Sequence, residues 1–159
     1  MTGGTSHAGD ATATAAQAGA HKAYQDLVAE PCGTNLTGKT LGTSPGAVTL
    51  SPGVYCFDSS AQLTGTLTLS GSGVYVFKIG STLTTASKSS VVLAKGATAG
   101  NVFWQVTSSA TLGTNTAFEG SIVAMISDTV TTGASVSGRV IALTGSVTLS
   151  GNRIRAASK

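Results

Sequence analysis

Hydroxyl groups are the abundant reactive groups in this sequence, and almost every other kind is scarce. The 159 residues include 25 Thr and 20 Ser against six acids, nine Lys and Arg, two His and two Cys. Catalysis needs convergent groups, and Asp10, Asp26, Glu30, Asp58, Glu119 and Asp128 offer no two carboxylates at a spacing that suggests a paired acid and base. His7 and His21 have no Cys or His partner at metal-ligand spacing and read as solvated side chains. No Gly-x-Ser-x-Gly turn and no phosphate-cradling glycine loop stands before a helix. The expectation is a protein that is not an enzyme and takes no cofactor or metal.

Charge excludes further classes. The net charge of +3 comes from thinly spread residues, and Lys78, Lys88, Lys95, Arg139, Arg153 and Arg155 do not cluster as a nucleic-acid partner requires. No stretch is long and apolar enough to span a bilayer, so no membrane insertion is expected. No signal-peptide pattern is visible, and the Gly/Thr-rich start carries no information about export.

The elements that could position so many hydroxyls follow from the pattern. Length gives one domain over 1–159. Residues 1–9 are expected to be loosely held. Asp10 is a helix N-cap candidate, and the alanine-rich run up to Pro31 predicts a helix over 10–29. Ala13, Ala16, Ala20, Ala23 and Leu27 fall at helical spacing and form a narrow face suited to a flat partner.

From residue 33 to 155 the chain repeats imperfectly. Apolar runs start at Gly53, Gly73, Asn101, Ser121 and Arg139, which are 20, 28, 20 and 18 residues apart. That period predicts a mainly β solenoid, a right-handed β-helix with three short strands per coil and a triangular section. The first strand of each coil is apolar on both faces, so the helix should cover its outer side. Phe103 and Trp104 alternate there, one facing inward and one under the helix. In the second strand Leu63, Leu83, Leu112, Val130 and Leu149 should point inward and their neighbours outward. The third strand carries Glu119 and Arg153, so its outer face is less uniform.

Cys32 and Cys56 can pair in only one way. A bridge would tie the end of the helix to an early strand and imply an oxidising compartment, the alternative being two free core thiols.

Several segments together carry a family resemblance. They include Gly4-Thr-Ser-His-Ala-Gly-Asp-Ala leading into the helix, Leu50-Ser-Pro-Gly-Val-Tyr, Leu63-Thr-Gly-Thr-Leu-Thr-Leu, Asn101-Val-Phe-Trp-Gln-Val, Thr132-Gly-Ala-Ser-Val-Ser-Gly-Arg and Ser146-Val-Thr-Leu. From about residue 4 to 154 the chain resembles the microbial ice-binding proteins built on a discontinuous β-helix with a flanking α-helix. The resemblance implies ice binding, inhibition of ice recrystallisation, secretion, no cofactor, and a flat binding face away from the helix. It also implies further strands before the segment where this sequence starts, so one end of the stack is expected to be open, or mended by a partner or by rearrangement. Asp128 departs from the family's apolar inward residue, which requires a local strand shift or a buried donor.

On this reading Thr82, Thr111, Thr129 and Thr148, with Gln62 as an irregular member, form one outward file. Thr64, Thr84, Gly113, Thr131 and Ser150 form the next. Coils stack roughly 4.7–4.9 Å apart and i, i+2 neighbours lie roughly 6.6–6.8 Å apart, close to repeats of ice surfaces. The partner expected is an ice crystal, met by a monomer for which end-to-end association is open. The competing function is a structural or adhesive β-helix at a cell surface, motivated by an unpaired coil edge.

Overall fold

The computed structural model describes residues 8–157, so the expectation for the loose start falls mostly outside the described residues. The described residues form one α-helix, Ala11–Ala29, a 3-10 turn at Ala99–Asn101, and a parallel β-solenoid of three sheets. The first sheet stacks Thr34–Asn35, Gly53–Phe57, Tyr75–Ile79, Val102–Val106, Ser121–Ala124 and Val140–Ala142 in that order. The second stacks Ala61–Leu63, Leu83–Thr85, Ala110–Leu112, Asp128–Val130 and Val147–Leu149. The third stacks Thr49–Leu50, Thr66–Ser70, Ser90–Ala94, Ala117–Glu119, Ser135–Ser137 and Arg153–Arg155. Every pairing between these strands is parallel, as successive coils of one solenoid require.

The core is the interior of the triangle. Leu63, Leu83, Leu112 and Val130 are fully buried from the second sheet, and Leu67, Leu69, Phe118 and Val136 from the third. From the first sheet, Tyr55, Phe77 and Trp104 lie in register on successive strands. Phe77 stacks on Trp104 with centroids 3.8 Å apart, and Phe118 closes on Trp104 at 4.8 Å. Such ring contacts contribute beyond simple burial. The polar tips are satisfied at the wall: Trp104 Nε1 donates to the Glu119 carbonyl at 3.0 Å. The Tyr75 hydroxyl donates to the Gly71 carbonyl at 2.8 Å.

The helix starts at Asp10, whose carboxylate accepts from the Ala13 amide at 2.9 Å. It lies on the outer side of the first sheet, as the apolar character of those strands predicts. Its contact face extends the expected one. Ala13, Ala20 and Leu27 are half-buried and Ala23 lines the groove beside the sheet, with Ala16 exposed, but the one buried helix residue is Tyr24, outside that spacing. The reason is polar: Gln105, buried on the outer side of the first sheet, donates to the Tyr24 hydroxyl at 3.0 Å. Alanine alone offers no partner for that amide. Phe103 lines the groove beside the helix while Trp104 points inward, as the alternation requires.

The two ends of the solenoid differ. At the first coil Leu36 and Leu41 plug the core, and Cys32 and Cys56 form a disulfide with Cα atoms 5.9 Å apart. At the last coil the inward side chains Val147, Leu149 and Ile154 remain 38–43% exposed. Gln17 donates to the Leu143 carbonyl in that coil.

Candidate functional site

The outer face of the second sheet places the expected side chains in a register that corrects one part of the sequence reading. Strand pairing aligns Gln62, Thr84, Thr111, Thr129 and Thr148 as the middle outward row. Thr84, not Thr82, stands beside Thr111. The cause is inside the coil. Leu83 occupies the slot of Ala110, which leaves Thr85 in the inward slot otherwise filled by Leu63 and Leu112. Thr85 is 3% exposed, and its hydroxyl is satisfied by the Gly113 amide at 2.8 Å and the Thr116 hydroxyl at 2.9 Å. A buried hydroxyl with two partners is tolerated where an unpaired one would not be.

Thr82 falls in a different row, two residues upstream. There it aligns with Ser60, Ser109, Ser127 and Ser146, which the sequence reading passed over. The signal was present: each middle residue is preceded two positions earlier by Ser or Thr, as in Ser60-Ala-Gln62, Ser109-Ala-Thr111, Ser127-Asp-Thr129 and Ser146-Val-Thr148.

Thr64, Gly113, Thr131 and Ser150 lie at the other strand ends, where the chain turns into the third sheet. Two of them do not continue the grid as free hydroxyls, while the Thr64 hydroxyl is internally unbonded among the described residues. Thr131 donates to the Leu112 carbonyl at 2.7 Å, and Ser150 pairs with Thr132 at 3.2 Å. Gly113 is fixed by packing, since a Cβ there would lie 2.5 Å from the Thr85 carbonyl oxygen.

The three rows therefore differ in what their polar atoms do. Among the described residues, no side chain of the middle row has a hydrogen-bond partner within the protein, while both flanking rows include hydroxyls bonded along the solenoid axis. No charged side chain projects from this face: Asp128, its one ionisable residue, points inward.

Asp128 meets neither requirement set for it. Its strand keeps register with Ala110 and Val147, and neither carboxylate oxygen has a partner. Burial in this apolar site raises its pKa from 3.8 to about 7. Elsewhere, Glu119 sits half-buried on the third sheet, where desolvation raises its pKa and the Ser137 hydroxyl partly offsets the effect. Asp58 accepts from Asn35, and Asp26 pairs with Lys22 within the helix. His21 is half-buried on the helix beside Gln17, and His7 lies outside the described residues. No group of three His, Cys, Asp or Glu that could hold a metal occurs among the described residues. Among the described residues no helix is long and apolar enough to cross a membrane.

Known proteins share this architecture. A family described as ice-binding-like matches residues 1–155. An ice-binding protein of Nostoc sp. (strain HG1) is 49% identical over 156 residues, 95% of this chain and 56% of its own length. Ice-binding protein 1 of Shewanella frigidimarina is 39% identical over 86% of this chain and 16% of its own. The chain thus spans about half the length of the first relative and a small part of the second. The crystal structure of an ice-binding protein from an Antarctic biological consortium superposes with a TM-score of 0.88 at 37% identity, covering 94% of this chain and 68% of that one. With its three-sheet solenoid, flanking helix and match over nearly the whole sequence, the chain belongs to the ice-binding-like family.

Proposed function

We propose that this chain adsorbs to ice through the outer face of the second sheet and thereby inhibits ice recrystallisation. The observation that carries the reading is the middle row of Gln62, Thr84, Thr111, Thr129 and Thr148, whose polar atoms have no partner within the protein among the described residues. Thr methyls order a water layer and Thr hydroxyls anchor it, at a coil spacing of roughly 4.8 Å. Each contact is weak. They add because β-branched Thr is stiff at χ1 and the row is fixed on folding, so little ordering remains to be done at the ice surface. The flanking candidates Thr64, Thr82, Gly113, Thr131 and Ser150 border this row.

The testing experiment is ice recrystallisation inhibition by the purified chain beside Thr129→Tyr. The wild type should suppress crystal coarsening. The Tyr variant should not, while unfolding at nearly the same temperature. Equal activity in both would remove this face from consideration.

No catalysis is assigned, since the acids stand apart on different faces. The Cys32–Cys56 bridge favours a secreted protein acting in an oxidising medium. A monomer is the expected state. Its association-prone surface is the last coil, where unpaired strand edges frame Val147, Leu149 and Ile154. Sedimentation at rising concentration reads this directly, and dimers that vanish on Leu149→Lys would displace the monomer.

A further inference from the structure

We propose that the row Ser60, Thr82, Ser109, Ser127 and Ser146 is a positioning device: it sets where each strand of the second sheet begins, and so holds the adjacent middle row straight. The inference rests on reading that middle row as the ice-contacting one.

Four of the row's five hydroxyls, all but that of Ser146, are engaged with a neighbouring coil. The Ser60 and Thr82 hydroxyls are 2.8 Å apart. The Ser127 amide donates to Ser109 Oγ at 3.3 Å, and the Ser146 amide to Ser127 Oγ at 3.3 Å. The carbonyls of the same residues accept from the next position of the neighbouring coil. Ala61 donates to Thr82 at 2.9 Å, Leu83 to Ser109 at 3.2 Å, Ala110 to Ser127 at 2.9 Å and Asp128 to Ser146 at 3.0 Å. At Ser109 and Ser127, side chain and carbonyl therefore both tie one strand entry to an adjacent one.

The location matters because this corner is not the same in every coil: it has three residues in four coils (58–60, 80–82, 107–109 and 125–127) and four in the last (143–146). A strand entering from the longer corner can slip by one residue. The Leu83–Thr85 strand shows that inward residues do shift relative to the sequence pattern. Pinning the entry two residues ahead of Thr84, Thr111, Thr129 and Thr148 fixes the position of each threonine Cβ. The corner is also shaped around the ladder. Gly145 lies so close over Ser127 that a Cβ there would stand 2.2 Å from Ser127 Oγ. A side chain at 145 would displace the hydroxyl that Ser146 donates to.

The test uses the full chain with Ser109→Ala and Ser127→Ala combined, and separately Ser109→Thr with Ser127→Thr. Two quantities are read: inhibition of ice recrystallisation, and amide hydrogen exchange at Ser127 and Ser146, the donors to the two hydroxyls, in liquid water without ice. Positioning predicts that the alanine pair exchanges faster at these amides by about fivefold, the loss of one modest hydrogen bond. It also predicts that severalfold more protein is needed for the same inhibition, and that the threonine pair restores both. Weaker inhibition with unchanged exchange would make the row a contact surface and overturn the proposal. So would alanine variants unchanged in both respects, or threonines that fail to restore them. Thr129→Tyr is carried alongside: if it keeps full activity, the reading of the face fails, whatever the serines do.

Discussion

The second and third sheets are built alike and present very different surfaces. Both are parallel stacks with alternating inward apolar residues, and both turn hydroxyls outward. On the third sheet, however, Thr66 and Ser90 bond each other at 3.0 Å, Ser137 donates to Glu119, and Val92 stands 43% exposed among them. Arg153 and Arg155 end its stack. On the second sheet the middle row is uncharged and its hydroxyls are left unbonded. Hydroxyl content alone does not distinguish the two sheets. Among the described residues, the second carries an unbroken row of uncharged, internally unbonded side chains across its five strands, whereas on the third the unbonded Thr68 and Ser135 are interrupted by Val92, Ala117 and Arg153.

The largest expected effect breaks this contrast directly. Thr111→Tyr should abolish ice shaping, because a ring standing above the row lifts the whole face off a flat surface. Ala117→Tyr, at an exposed outward position of the third sheet, should leave ice shaping intact. Matching losses in a crystal-morphology assay would mean that the two sheets are not functionally distinct.

Next in size is the disulfide. Replacing Cys32 and Cys56 by Ser should cost about 3 kcal/mol of stability, chiefly by freeing the unfolded chain. Both sheets depend on the same first coil, so the loss should appear in thermal unfolding. Ice activity near 0 °C should persist, because Thr84 to Thr148 lie on later coils.

A smaller effect probes the inner side of the same sheet. Folded Asp128 holds its proton up to about pH 7, whereas the unfolded carboxyl releases it near its ordinary 3.8. The folded state thus binds more protons between these values. Its stability is fully present below about pH 4 and declines toward pH 7, with a limiting slope of about 1.4 kcal/mol per pH unit. Asp128→Asn should flatten that profile in chemical unfolding measured from pH 4 to 8. Glu119→Gln on the third sheet should give the smallest change, a slight shallowing of the same curve with no loss of ice activity.

Much of this architecture was legible in the sequence. The alanine run between Asp10 and Pro31 gave the helix, and the recurring inward Leu and Val gave the coils and the two-sided first strands. Legibility failed where a polar residue faces inward. Thr85 reads as an outward threonine unless its buried partners are known, so Leu83 was matched to Leu112 and the row shifted by two residues. Asp128 keeps its place without any partner, an outcome that pattern reasoning excludes on energetic grounds. Tyr24 was overlooked because small-residue spacing carries no information about the buried Gln105 beneath it. The serines beside the middle row carry too little hydrophobic contrast to reveal that their work is internal.

The most direct test of the central claim is adsorption itself. Fluorescently labelled chain is presented to a growing single ice crystal, beside labelled Thr129→Tyr and Ala117→Tyr. The account predicts that the wild type and Ala117→Tyr coat the crystal and are incorporated, while Thr129→Tyr is pushed ahead of the front. Incorporation of Thr129→Tyr, or exclusion of the wild type, would contradict it.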